Sequence, residues 1–235
     1  LAEPFYVPSG SMEPTLLIGD ALVASKFPYG YSMASLPLPI RVSTSSRIFG
    51  ALPERGDVVV FRWPGDLSQT WVKRVIGLPG DRIEMNNGRL YINGVAAALR
   101  PDGSGDVEDD EGGLAASPRF VETLPGGHKH EIFKQRAHGV LDNTPPIVVP
   151  PDHLFVMGDN RDNSADSRVP SSDQGLNGPV PWENIGGRAE FITFSLDGSS
   201  SYWNPVSWFT ALRGGRAGSS LHPSSAPPRQ GAPGQ

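Results

Sequence analysis

"DVVVFRWPGDLSQTWVKRVIGL", residues 57–78, holds two runs of β-branched and aromatic residues, "DVVVFRW" (57–63) and "WVKRVIGL" (71–78), bounded by Gly, Pro and Asp. That composition marks core strands. Outward from this pair, "ALVASKF" (21–27) alternates imperfectly, and a first strand enters at "FYVPSGSM" within four residues of the start. "DRIEMNNGRLYING" (81–94) is two alternating runs joined through Asn87-Gly88, a strong hairpin signal. "HKHEIFKQ" (128–135), the start of "HLFVMGDNRDNSADSR" (153–168) and "GGRAEFITFSL" (186–196) supply further strands. With 28 Gly and 24 Pro in 235 residues and only 37% apolar content, short strands and turns are favoured over long amphipathic helices. A mostly β protein is expected.

The formal net charge of −5 comes with no basic block, which argues against a nucleic-acid partner. The absence of cysteine excludes disulfides, thiolate metal sites and a cysteine nucleophile. No run approaches the ~18 apolar residues of a membrane-spanning helix, so the chain as given reads as soluble or peripheral. It opens at Leu1 directly before a strand, and an upstream segment is expected to have been cut away. Residues 28–56 are too rich in Pro and Ser for a strand and read as a surface excursion. Residues 97–127 lose periodicity around "PDGSGDVEDDEGG" and read as a solvated acidic loop. A calcium loop beginning at Asp102 fails, because Ser104 breaks the ligand spacing and Val107 takes the glycine place. His128 and His130 share one strand face and, without a third ligand, are expected to be exposed rather than metal-binding. No metal and no cofactor are expected. Residues 213–235, mostly Gly, Ala, Ser and Pro, read as a disordered tail.

Serine is the nucleophile left to consider, and it needs a base. No G-x-S-x-G elbow exists, and the five histidines all lie outside the polar motifs, which weakens a Ser-His-Asp triad. No serine stands three places before a lysine. A Ser-Lys dyad from separate strands remains, and its lysine must be buried, because an ammonium has no lone pair with which to accept a proton. Of the four lysines, Lys26, Lys73, Lys129 and Lys134, only Lys73 is flanked by Trp71, Val72, Val75 and Ile76, a setting able to desolvate it. A lysine on the exposed face of a half-buried strand is the competing reading.

Four blocks, "PSGSMEPTLLIGDALVASKFPYG", "RGDVVVFRWP", "WVKRVIGLPGD" and "GDNRDNSADSR", span residues 8–168 in the order and wording of bacterial type I signal peptidases, which the sequence closely resembles. The resemblance implies that Ser11 is the nucleophile and Lys73 its general base. It implies that the Ser9 hydroxyl and the Ser11 backbone N–H bind the oxyanion, and that Ser164 positions the Lys73 amine. Pro8 and Gly10 then have a purpose, since donors aimed at a transition-state charge must be fixed in advance. Arg74, Asp159, Arg161, Asp166 and Arg168 are implied to brace the site through ion pairs, with Arg74 expected to pair with Asp166. Phe5, Val7, Met12, Leu16, Leu22, Val60, Trp71 and Val72 match the family's substrate-pocket walls, although Leu22 and Val60 read equally well as plain core.

The implied fold is an antiparallel β catalytic core (1–80 and 151–212) of the signal peptidase and LexA-like type, with a smaller β lobe inserted at 81–150. The implied activity is removal of signal peptides from exported preproteins by cleavage after small residues of Ala-x-Ala type. It would act on the outer face of a bacterial cytoplasmic membrane, with signal peptides and the lipid surface as partners. "SYWNPVSWFTALR" (201–213) has a mix of residues suited to that interface, and core packing is its alternative. The family's N-terminal membrane helices are not in the sequence. One rival is a self-cleaving Ser-Lys protease of the LexA type, which would need an N-terminal DNA-binding helix pair and an internal Ala-Gly or Cys-Gly cleavage site; neither is expected here. A second is a non-catalytic β-rich binding protein for export substrates.

Overall fold

The structure, a computed structural model, describes residues 2–25, 53–108, 113–197, 211–222 and 224–225. Its main sheet has seven strands, β1 (Ala2–Tyr6), β2 (Asp20–Ser25), β3 (Val58–Trp63), β4 (Asp66–Gly77), β12 (His153–Met157), β13 (Val180–Pro181) and β14 (Ile185–Ser195), in the order β1-β2-β14-β3-β4-β12-β13. Two four-stranded sheets complete the fold. One has the order β11-β5-β6-β7, from β5 (Arg82–Asn86), β6 (Arg89–Ile92), β7 (Val95–Ala96) and β11 (Ile147–Val148). The other has the order β15-β10-β9-β8, from β8 (Ala98–Glu108), β9 (Leu114–Thr123), β10 (His128–Phe133) and β15 (Ser224–Ser225). The fold is mostly antiparallel β, as expected.

The continuous apolar runs of β3 and β4 follow from burial of both faces. Val58 and Val60 enter one core cluster with Val7, Met12, Leu16 and Leu22, while Val59 and Phe61 enter another with Val75, Leu154 and Ile185. In antiparallel register Val59 faces Lys73, Phe61 faces Trp71, Val58 faces Arg74 and Val60 faces Val72. Consecutive residues point to opposite sides of a strand, so Lys73 and Arg74 serve different environments. A third cluster, with Ile76, Ile83, Leu90, Ile92, Leu124 and Phe155, joins the β5–β6 hairpin to the main sheet. Asn87 and Gly88 both have positive φ, 48° and 73°, as the hairpin turn requires.

Three expectations need correction. Much of 97–127 is not a loop: β8 and β9 form a long antiparallel hairpin. Most of β9 is exposed or half-buried on both sides, so its residues carry no alternation that would announce a strand. The expected tail is ordered over 213–222 and 224–225. Arg216 pairs with the fully buried Asp20, and the buried Leu221 packs in the cluster of Val7 and Met12. Gly218 N–H donates to Ile192 O at 2.8 Å, and Ser224 and Ser225 pair with Lys129 and His128. One apolar side chain and one cation with matched sites suffice where composition predicts no core of its own. His130 is buried, not exposed, because β9 places Glu122 directly opposite it. Residues 226–235, and the expected surface excursion between 28 and 52, lie outside the described residues, as do 201–210 of the Trp-rich stretch.

Candidate active site

Ser11 lies on a single 3-10 turn, Gly10–Met12, entered from β1 through the extended Ser9. Glu13 N–H closes the turn onto Gly10 O at 3.1 Å. Lys73, on β4, donates from Nζ to Ser11 Oγ at 2.8 Å across 62 residues of chain. Ser9 Oγ lies 3.4 Å from Ser11 Oγ, so both hydroxyls occupy one side of the turn. The turn after β12 packs against the Ser11 carbonyl at Gly158. A Cβ there would fall 2.4 Å from Ser11 O and 2.2 Å from Ser164 Oγ, so only glycine permits the approach.

Lys73 is buried on the β4 face it shares with Val75 and Trp71. Trp71 stacks on Trp63 at a centroid distance of 5.1 Å, and its ring lies 5.4 Å from Nζ. Burial is the largest influence and lowers the lysine pKa; Asp166 and Asp159 oppose it, Arg168 reinforces it, and the outcome is about 8. An amine with that value is substantially neutral under mildly alkaline conditions and can accept a proton from a hydroxyl.

The ion pairs around the site differ from the expected ones. Arg74 does not meet Asp166; it forks onto Asp159, from Nε to Oδ1 at 2.8 Å and from Nη2 to Oδ2 at 2.6 Å, and also donates to Gly56 O. Asp166 is taken by Arg168 two residues on, at 2.7 Å, and accepts from Gly158 N–H at 3.0 Å. The reason is strand geometry: Arg74 leaves β4 on the face away from Lys73, while the Asp166 and Arg168 side chains meet within one turn. Burial pushes the Asp159 carboxyl up, but Arg74 outweighs it and holds the group below the usual range; Arg168 does the same for Asp166. Arg161 forks onto Glu122 of β9, with 2.8 Å for one arm. Both carboxylates nearest Lys73 therefore have their own guanidinium.

Ser164 is buried beside Ser11 O, and its Oγ makes no hydrogen bond in this structure. The expected bond to the Lys73 amine is not formed here. Among the matched pocket positions, Val7, Met12, Leu16, Leu22 and Val60 are buried in one cluster against which Phe5 and Val72 pack partly exposed. Trp71, also half-buried, belongs to the opposite face.

Sequence reasoning missed Glu122, His130, Thr15 and Asn160. His130 Nε2 lies 3.2 Å from Glu122 and 4.0 Å from Asp159, joining the two ion pairs. Burial and the nearby Arg74 lower its pKa against the pull of Glu122 and Asp159, so its ring is neutral at pH 7. Glu122 stays ionised, because Arg161 and His130 overcome its burial. Thr15 donates its hydroxyl to Asp159. No local pattern marks Glu122 or His130, whereas Asn160 stands inside "GDNRDNSADSR".

A serine hydroxyl bonded to a buried lysine of lowered pKa, set among antiparallel strands, is the equipment of a serine hydrolase. Comparison with known proteins narrows that class. The profile of the family "Signal peptidase, peptidase S26" matches residues 1–194. The chain is 40% identical over 205 residues to a signal peptidase I of Rickettsia typhi, covering 83% of this chain and 73% of that protein. It is 41% identical over 202 residues to the signal peptidase I of Rickettsia prowazekii, covering 83% and 73%. A solved signal peptidase I from Enterococcus faecalis is 25% identical, covering 59% of this chain and 97% of that one with a TM-score of 0.33. The chain belongs to the signal peptidase family, peptidase S26.

Proposed function

We propose that this peptidase removes signal peptides from exported preproteins with Ser11 as nucleophile and Lys73 as general base. The observation that carries the reading is the 2.8 Å contact between Lys73 Nζ and Ser11 Oγ in a setting that lowers the lysine pKa to about 8. Neutral Lys73 takes the Ser11 proton as Oγ bonds to the scissile carbonyl carbon, whose π pair moves to oxygen. The Ser11 N–H and the Ser9 hydroxyl are the proposed donors to that oxygen. As the tetrahedral species collapses, the C–N bond breaks and Lys73 returns the proton to the leaving amine. Water then attacks the acyl-enzyme with Lys73 again as base, releasing the carboxylate and Ser11. Ser164 is proposed to accept from a Lys73 N–H when the amine is neutral, keeping its lone pair on Ser11.

The substrate is taken as extended, with main-chain bonds fixing it and small residues checked by shallow walls. Phe5, Trp71 and Val72 are the candidate walls, being partly exposed; Val7, Met12, Leu16, Leu22 and Val60 form the floor behind Phe5 and Val72, while Trp71 stands on the Lys73 face of β4. The proposed place of action is a bacterial cytoplasmic membrane, at its outer surface. Among the described residues no helix is long and apolar enough to cross a membrane. The lipid contact is instead supported by Phe191, Phe194 and Leu212, exposed at 43%, 44% and 48%. A bulge between Ile192 and Phe194 turns both phenylalanines outward, and Leu212 bridges to Leu196 at the same end of β14.

The self-cleaving alternative would need a cleavable dipeptide. Ala217-Gly218 exists, but it sits in a turn whose Gly218 N–H is bonded to Ile192, not in an extended segment at Ser11. Ser11→Ala tests the proposal on a preprotein in detergent micelles. Cleavage should vanish with the melting temperature within about 1 °C of wild type, since one oxygen and no core volume is removed. Near wild-type cleavage would place the nucleophile elsewhere.

A further inference from the structure

Asn160 is fully buried in the turn after β12 and touches the nucleophile turn twice. Its Nδ2 donates to Gly10 O at 3.1 Å, and its backbone N–H donates to Ser11 O at 3.1 Å. Gly10 O and Ser11 N–H belong to one peptide unit, and in a trans peptide they point in opposite directions. Anchoring the carbonyl on Asn160 therefore turns the Ser11 N–H away from Asn160. We infer that Asn160 is a positioning residue that aims the Ser11 backbone N–H at the oxyanion, an inference that rests on the proposed role of Ser11.

Asn160 is itself held so that its amide has one orientation. Its Oδ1 accepts from Gln135 Nε2 at 3.1 Å, and rotating the amide by a half-turn would set donor against donor and acceptor against acceptor. Its backbone bridges to Phe133, whose N–H donates to Asp159 O and whose carbonyl accepts from Arg161 N–H, each at 3.0 Å. Through this residue β10, a strand of one smaller sheet, is tied to the peptide plane that precedes the nucleophile. A hydrogen bond present before the reaction removes the need to reorient that plane as charge develops, which is the condition for a backbone donor to stabilise it. No other side chain among the described residues is seen to donate to Gly10 O.

Asn160→Ala and Asn160→Asp both remove the side-chain donor to Gly10 O and leave only the Glu13 N–H on it. Each should lower kcat by about 10–10²-fold, short of or equal to the loss of a whole oxyanion donor, with KM changed by less than about threefold. A peptide boronic acid ending in alanine, which forms the tetrahedral oxyanion, should lose affinity by the same factor as kcat/KM. A non-cleavable peptide of the same sequence should bind as it does to wild type. The acid limb of the pH profile should keep its midpoint, since Lys73 is untouched. Equal weakening of both ligands, a shifted midpoint or an unchanged kcat would each overturn the inference. If the Asn160 variants fail to fold, Gln135→Ala decides: it lies at an exposed position and should cost kcat about 2–10-fold with the same split between the ligands, and no change would overturn the inference. Ser11→Ala run alongside separates the two ideas. An active Ser11→Ala removes the underlying reading, whereas an inactive Ser11→Ala with fully active Asn160→Ala removes only the role of Asn160.

Discussion

Arg74 and Asp159 form a buried, forked ion pair on the side of β4 opposite Lys73, with 2.8 and 2.6 Å between the paired atoms. Neighbours in sequence thus have opposite electrostatic tasks. Arg74 pairs with a carboxylate that favours the charged form of Lys73 and so weakens its pull on that amine.

Arg74→Met leaves Asp159 buried and unpaired, and should cost about 3–5 kcal/mol of stability. With Arg74 gone the Asp159 charge acts on Lys73 unopposed, so the acid limb of kcat/KM should move above pH 8. Denaturant unfolding and a pH–rate profile read the two effects. A variant with wild-type stability and an unmoved limb would show that the pair is idle.

Lys73 should be a net burden on the folded state at neutral pH. Its folded pKa is about 8 against 10.5 for a lysine in water, so between these pH values the unfolded chain binds more protons and stability rises with pH. Below that window the penalty is present in full, on the order of 3 kcal/mol before relaxation of the site. Lys73→Met should therefore be inactive yet more stable than wild type at pH 7, with the advantage shrinking toward pH 10. A Met variant less stable at pH 7 would mean that the amine is well compensated where it lies.

The buried Ser164 hydroxyl without a partner predicts a split between stability and rate. Ser164→Ala removes an unpaired polar atom and should leave stability unchanged or up to about 1 kcal/mol higher. If the hydroxyl steadies the neutral Lys73 amine, kcat/KM should nevertheless fall by about 10–10²-fold. Equal activity in wild type and variant would remove Ser164 from the mechanism.

Truncation after residue 212 tests the ordered C-terminal segment. It removes the Arg216 partner of Asp20, the Arg213 bond to Ile18 O and the burial of Leu221. Loss of the Leu221 side chain alone is worth about 1.5–3 kcal/mol, which in a chain of this size lowers Tm by roughly 5–10 °C. Truncation after residue 225 should leave Tm within about 2 °C of that of the whole chain. An unchanged Tm on truncation after 212 would mean that the segment contributes nothing.

Legible in sequence were the strands buried on both faces and the alternating β5–β6 hairpin with its Asn87-Gly88 turn. Val58–Phe61 and Trp71–Ile76 announce themselves because every residue needs an apolar or paired environment. The hairpin of β8 and β9 did not, because it is largely solvated and one of its glycines answers a distant need: a Cβ at Gly105 would fall 2.8 Å from the Phe133 ring. His130 shows a similar limit. Alternation places it on one face with His128, but only pairing with β9 sets Glu122 opposite it and decides that this face is buried. At the site, Ser11 and Lys73 were legible from block wording, and Lys73 also from its apolar neighbours. The partner of Arg74 was not, since the choice between Asp159 and Asp166 depends on which side of β4 each turn closes over.

The central claim is that Lys73 is a base, and the pH dependence of kcat/KM tests it most directly. For wild type the rate constant should rise along a limb with its midpoint at about 8, reporting deprotonation of Lys73 in the free enzyme. Lys73→Arg keeps the charge and most of the reach, yet a guanidinium does not give up its proton in this range. The account predicts that Lys73→Arg is as inactive as Lys73→Ala at every pH. Substantial activity in Lys73→Arg along the same acid limb would contradict it and assign the base elsewhere.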